Sequence, residues 1–401
     1  MTERCLVVGG GPAGMMLGYL LASADCPVTV LESRQDFDRD FRGDSLHPYT
    51  LDLLGQLGLA DRLLALPHHK ARSFFLQTPS ATITAADYGL LPEPFNYVAL
   101  MPQARFLTFM AAEAAKLPAF EIRMGAKVTD LVNTGNRTTG VRYRDSDRRT
   151  HDLGAAIVVA CDGRFSKVRH LAAMTPTSLG ATTDLLWFKL PRYHLDPPDA
   201  DAGVYFGADR YVALLGGDHD WQVGYTLPKG GYPAVRESGL EPIRRFVAER
   251  VPWLSDRLHL LADFADTTLL SIDISRLTLW HQPGLLLIGD AAHVISPVGG
   301  NGILMAIQDA VAAANHLAPA LRTSQPINDE VLAAIQTERE PTIRAVQADQ
   351  VRIEQQAAAA RETGRAISPP TFLRYLSKIP AIRRRAARSN AYGPRPPRLQ
   401  L

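Results

Sequence analysis

The sequence predicts an α/β fold in which a Rossmann-like domain carries an inserted β-rich domain and a C-terminal helical segment. Three observations predict it. A glycine turn joins a short apolar strand to a small-residue helix within residues 4–32, the chain turns strand-rich after residue 180, and residues 285–320 return to a buried strand followed by a helix. At ~100–200 residues per domain, the 401 residues suit two or three domains.

In chain order, CLVVG is a short apolar run, residues 13–24 are small and apolar, and VTVLE is a second strand, so residues 4–32 form a βαβ unit. Residues 49–66 and 104–116 repeat apolar positions at helical spacing, whereas EIRM, AKVTDLV, TTGVRYR and AAIVVAC are strand-like. DLLWFKL, GVYFG, RYVALLG, WQVGYTL and TTLLSIDI then form the β-rich block, with one helix at about 239–252 before its last strand. GLLLIGD is another buried strand and 302–320 a helix. The tail after Glu362 holds nine Lys/Arg and no Asp/Glu, and is expected to be solvated and partly disordered.

Composition excludes several classes. Apolar residues are 46% and charged residues 21%, as in a globular chain, and 43 Lys/Arg against 41 Asp/Glu leave a net charge of +2. That field is too weak to imply nucleic acid or an anionic membrane. Cys5, Cys26 and Cys161 are widely separated, which disfavours a disulfide framework or a Cys-based metal site and fits a cytoplasmic location. No signal-peptide pattern and no apolar stretch of ~18 residues is present, so no membrane span is expected.

Gly9, Gly11, Pro12, Ala13 and Gly14 make a G-x-G-x-x-G turn directly after a strand and before a helix. Gly9 permits the tight turn, Gly11 lets a pyrophosphate approach the backbone, and Gly14 allows close helix–strand packing. The helix start offers free N–H groups and a positive dipole end to phosphate. Glu32, with Ser33 and Arg34 after it, ends the second strand near the ~20-residue spacing at which a carboxylate meets ribose hydroxyls. The turn alone does not separate NAD from FAD, since both contain ADP.

Two further strand-to-helix turns follow. VVACDGRFSKVR contains Asp162, Gly163 and Arg169; LLLIGDAAHVISPVGGNG contains Gly289, Asp290, Pro297, Gly300, Asn301 and Gly302. With all three turns in this order, the chain resembles the single-component FAD-dependent aromatic hydroxylases, the para-hydroxybenzoate hydroxylase-like flavoprotein monooxygenases. The resemblance covers essentially the whole chain. It implies a Rossmann-like FAD-binding domain (1–70, 100–180 and 275–330), an inserted, mainly β-sheet substrate domain (71–99 and 181–274), and a C-terminal helical segment with a basic tail (331–401).

The resemblance also implies roles. Asp290 would bind the ribityl chain, the amides around Asn301 and Gly302 would face the flavin N1–C2=O edge, and Pro297 would sit beside the ring. Arg42 and Gln103 match positions that contact flavin or pyrophosphate, and Asp162 belongs to a motif used for both FAD and NAD(P)H. One departure is that Gly300-Asn301-Gly302-Ile303-Leu304 stands where many members read G-Q-G-M-N. The implied cycle has NADH or NADPH reduce FAD, O₂ form a flavin C4a-hydroperoxide, and its distal oxygen pass to a phenolic or polyketide-like aromatic substrate. His47 is the candidate proton relay, with an ordinary pKa near ~6.5, although a structural histidine at a helix start fits it equally. Trp187, Gln222 and Tyr225 are the candidate substrate contacts, but strand alternation prevents Gln222 and Tyr225 from both facing the cavity. An epoxidase, a Baeyer–Villiger-type oxygenase, a reductase or a non-catalytic flavin-binding regulator shares these motifs.

Overall fold

The computed structural model describes residues 4–38, 44–79, 81–198, 200–297, 300–323, 325–363 and 379–401. Its first layer is a six-stranded sheet in the order His281–Gln282, Leu285–Leu287, Ile157–Ala160, Cys5–Val8, Val28–Leu31, Phe120–Arg123, parallel except at the first edge. The four central strands are buried throughout, which is why they read as continuous apolar runs and not as alternating ones. Helix Pro12–Ser23 packs on this sheet with every residue from Ala13 to Ala22 buried, and helix Gly302–Arg322 lies against it. Each large aliphatic side chain buried there contributes ~1.5–3 kcal/mol before chain entropy is counted.

Strand Cys5–Val8 pairs on one side with the strand that follows it and on the other with Ile157–Ala160, so the strand order reverses at that point. Such a reversal opens a crevice at the carboxyl ends of the strands, where the two connections leave in opposite directions. All three glycine-containing turns leave strands at this edge: Gly9 after Val8, Asp162-Gly163 beyond Ala160, and Gly289 beyond Leu287.

The second layer is a seven-stranded sheet in the order Thr268–Ser271, Thr183–Pro191, Asp220–Pro228, Tyr211–Gly216, Ala202–Phe206, Ser73–Thr78, Ala81–Asp87. Its far face carries a separate core with Leu186, Phe188, Val223 and Tyr225, covered by helix Glu241–Arg250. The other face looks toward the parallel sheet. The stretch 49–66 is two helices, Pro48–Gln56 and Ala60–Leu64, because Gly58 at φ +68° ends the first.

The 35-residue helix Asp329–Thr363 straps the molecule. Three glutamines on one face act as backbone mimics. Gln336 accepts from Trp280 N and donates to Thr278 O, Gln347 donates to the carbonyls of Ser275 and Val294, and Gln350 both accepts from and donates to the Ser296 backbone. The tail differs from its expected solvated state. Residues Pro380–Tyr392 form a helix and residues 393–401 run along the first domain, with Tyr49 Oη donating to Pro397 O and Asn315 Nδ2 to Arg398 O. Two of its arginines have partners, Arg383 meeting Asp87 and Arg384 the Leu90 carbonyl, while Arg385, Arg388, Arg395 and Arg398 are exposed.

Candidate active site

The first turn is held by the backbone itself. Gly9 adopts φ +103°, and a Cβ there would lie 2.5 Å from Cys161 O; a Cβ on Gly14 would lie 1.9 Å from Gly9 O. Both positions therefore require glycine for the fold. Gly11 is different, because a Cβ there would meet nothing within 4 Å, yet it is the N-cap of helix Pro12–Ser23 and provides no side-chain cap. That helix start keeps its N–H groups for a ligand. Glu32 is buried; its carboxylate accepts from Gly10 N at 2.8 Å and Arg34 N at 3.0 Å, with Ser33 Oγ at 3.2 Å. It thus braces the glycine turn.

Asp162 accepts from Ser166 Oγ at 2.5 Å and from Val168 N at 3.0 Å, capping the short helix Lys167–Leu171, while burial pushes its carboxyl up. Gly163 at φ +82° has open space beside it. Arg169 donates to Ala291 O at 2.9 Å and Arg164 O at 2.6 Å. Arg169 thereby ties the second turn to the third through its two terminal nitrogens.

The third turn rests on a buried ionic cluster that sequence reasoning missed. Asp309, fully buried in helix Gly302–Arg322, accepts from Gly289 N at 3.0 Å, from His293 Nε2 at 2.7 Å and from Arg339 Nε at 2.8 Å. Burial would raise the Asp309 carboxyl, but the His293 and Arg339 pairs outweigh it and hold it below the usual carboxylate range. A lone acid inside the apolar run ILMAIQDAVAAA was the signal available. Gly289, at φ +59°, lies against helix Pro12–Ser23, where a Cβ would be 3.5 Å from Ala13 Cβ. Asp290 is half-buried beside it.

Beyond this turn, Pro297 and Gly300 reach the second sheet, with Gly300 N donating to Pro297 O at 3.0 Å. Asn301 is the N-cap of helix Gly302–Arg322, makes no cap bond, and leaves a buried Oδ1 without a partner. Gln103 starts helix Gln103–Ala114 and donates its N–H to Asp44 at 3.3 Å. Arg42 lies outside the described residues.

Between Pro297, Gly300 and the second sheet lies a cavity lined mainly by apolar side chains including Trp187, Leu185, Val204 and Tyr88. His47 lines it as the N-cap of helix Pro48–Gln56; Nε2 stands 3.3 Å from Gly300 O, and Nδ1 is buried without a partner. A carbonyl only accepts, so Nε2 carries the proton and Nδ1 is an acceptor. Burial pulls the imidazole down to about 4, so the expectation of a relay titrating near neutrality is corrected: this is a neutral histidine. Tyr211 Oη, on the sheet side, is also buried without a partner, and burial pushes its pKa up, keeping it a donor.

Two substrate expectations change. Tyr225 points to the far face, buried against Phe246 with its hydroxyl accepting from Arg210, because its register partner Leu186 faces that core. Gln222 is on the cavity-side face, but its amide donates to the Asp44 carboxylate in an adjoining chamber lined by charged side chains including Lys189 and Asp220. Burial raises Asp44 to about 6, against the pull of the Gln222 and Gln103 hydrogen bonds. Trp187 lines the apolar cavity itself.

A reversed-order parallel sheet with three glycine-containing turns at its crevice and an apolar cavity beside it defines a dinucleotide-binding fold. The chain matches the FAD binding domain family over residues 2–350 and belongs to it; it is an FAD-dependent monooxygenase that uses NAD(P)H. It is 32% identical over 395 residues to 6-methylpretetramide 4-monooxygenase of Streptomyces rimosus, covering 98% of this chain and 92% of the relative. Among solved structures it superposes on p-nitrophenol 4-monooxygenase PnpA of Pseudomonas putida DLL-E4 with TM-score 0.75 at 20% identity, over 97% of this chain and 95% of PnpA. It also superposes on P. aeruginosa PqsL in complex with 2-aminobenzoylacetate, with TM-score 0.76 at 19% identity, over 90% of this chain and 98% of PqsL.

The residues present fit FAD. The uncapped start of helix Pro12–Ser23, the open space at Gly11, Gly163 and Gly302, and the orphaned Asn301 Oδ1 supply phosphate-facing amides and an unmet polar atom at the same edge. No cluster of three or more metal-ligating side chains occurs among the described residues, nor any helix long and apolar enough to cross a membrane.

Proposed function

We propose that the protein hydroxylates a phenolic ring of a fused, polyketide-like aromatic molecule bound beneath the seven-stranded sheet. The observation that carries this is the apolar cavity closed on one side by Pro297 and Gly300 and on the other by Trp187 and its neighbours. The relative that acts on 6-methylpretetramide supports a multi-ring substrate. The turn at Gly9–Gly14 would hold the pyrophosphate, Glu32 the ribose, Asp290 the ribityl hydroxyls, and Asn301 with Gly302 the flavin edge beside Pro297. Bound FAD supplies reduction by NAD(P)H and activation of O₂.

The chain's own residues do the rest. Leu185, Trp187 and Val204 exclude water, which limits waste of reduced oxygen as peroxide. His47 keeps its Nε2 proton on Gly300 and offers Nδ1 to a phenolic hydroxyl, whose polarisation makes the ring a better nucleophile. Tyr211 offers a hydroxyl to a substrate carbonyl. The three buried, unpaired cysteines support a reducing, cytoplasmic setting.

NAD(P)H oxidation in air, with phenol, naphthol and hydroxyanthraquinone panels and peroxide quantified, tests this. A fused phenol should stimulate oxidation and yield hydroxylated product in place of H₂O₂. Peroxide release that no aromatic stimulates overturns the proposal.

A further inference from the structure

Helix Pro380–Tyr392 presents Ala387 and Ala391, four residues apart on one face and both fully buried, to a small apolar cluster. Five members of that cluster, Ala71, Tyr88, Val98, Leu100 and Ala202, also line the substrate cavity. The helix therefore stands directly behind the cavity wall. Tyr88 Oη donates to Asn390 Oδ1 at 2.5 Å, so the one aromatic ring of these five is held from outside the cavity.

The helix is pinned at both ends and to both layers. Arg383 bonds Asp87, next to Tyr88 in the chain, and Arg384 bonds the Leu90 carbonyl. At the other end Tyr392 Oη donates to Asp52 at 2.6 Å and Gln308 Nε2 donates to Tyr392 O at 2.7 Å, both on helices of the first domain. With small alanines facing the wall, the helix approaches closely enough for Asn390 to reach the tyrosine hydroxyl.

We propose that this C-terminal helix is the back wall of the substrate cavity, and that Asn390 is a positioning residue which, by holding Tyr88, sets how many fused rings the cavity admits. The inference rests on the reading that the cavity takes the aromatic substrate. Releasing the hydroxyl frees the Tyr88 ring to pivot, which deepens the cavity and favours the longer ligand.

The test uses the full-length holoenzyme and two probes, 1-naphthol with two rings and 1,8-dihydroxyanthraquinone with three, bound anaerobically without reductant and followed by perturbation of the flavin spectrum. Asn390→Ala should shift the affinity ratio toward the three-ring probe by roughly three- to tenfold, the range of one hydrogen bond. Tyr88→Phe should give the same shift, and the double variant no more than either alone. Arg385→Ala, on the exposed side of the same helix, should leave the ratio unchanged. An unchanged ratio in Asn390→Ala, or independent additive shifts, overturns the wall proposal while the cavity reading stands. Failure of the wild-type protein to bind either probe overturns the cavity reading and this proposal with it.

Discussion

The crevice presents backbone amides at strand ends and helix starts, whereas the cavity is lined by side chains drawn from segments far apart in the chain. The crevice needs glycine and local geometry, so each turn is nearly complete within a dozen residues. The cavity needs register, with Trp187 opposite Gly224 and Leu215 opposite Gln222, and a helix from the far end of the chain behind Tyr88. The first kind of site is written locally and braced from a distance, whereas the second exists only once two sheets have met.

The comparison breaks first if the crevice can stand without its distant brace. Arg339 is contributed by the long strap helix and is fully buried against Asp309, which holds the Gly289 amide. Arg339→Ala leaves a buried carboxylate short of a partner, and the expected loss is ~3–5 kcal/mol of unfolding free energy. Urea titration of the cofactor-free protein measures it, and a loss below ~1 kcal/mol would show that the third turn holds its shape without the cluster.

Two neighbouring glycines sharpen the local half of the contrast. Gly14→Ala places a Cβ 1.9 Å from Gly9 O and should cost ~1–3 kcal/mol or more through overpacking. Gly11→Ala meets no protein atom within 4 Å at an ordinary φ of −76°, so stability should change by less than ~0.5 kcal/mol. Its effect should fall on FAD, with the dissociation constant rising tenfold or more in a fluorescence titration. Wild-type FAD affinity in Gly11→Ala would remove the pyrophosphate from that turn.

This division explains what could be read from the sequence. The βαβ unit, the three turns and the strand-rich block were legible because hydrophobic period and glycine spacing are local signals. The tie from Arg169 to the Ala291 carbonyl was not legible, because it joins residues over a hundred positions apart. Tyr225 was excluded from the cavity by the pleat as soon as Gln222 was given that face, yet no period says which of the two faces inward. The basic tail looked solvated because its charges are concentrated there, but two of its arginines are matched by Asp87 and the Leu90 carbonyl, nearly three hundred residues earlier. Asp44 carried no motif; only its burial beside Gln222 marks it.

Asp44 and His47, three residues apart, give the smallest and most specific prediction, because burial moves them in opposite senses. Asp44 sits near 6, above its ordinary 3.8, so between about pH 4 and 6 the folded protein binds more protons than the unfolded chain and stability falls as pH rises through that window. His47 sits near 4, below its ordinary 6.5, so the folded protein binds fewer protons and stability falls as pH drops from 6.5 toward 4. The two slopes oppose each other in the wild type. Asp44→Asn removes one of them, and its unfolding free energy should decline more steeply than wild type on acidification from pH 6 to 4, while the two curves run parallel above pH 6.5. His47→Gln should show the opposite deviation. Parallel curves for Asp44→Asn and wild type across pH 4–7 would mean that the Gln222–Asp44 contact is solvated and that burial does not raise the Asp44 carboxyl.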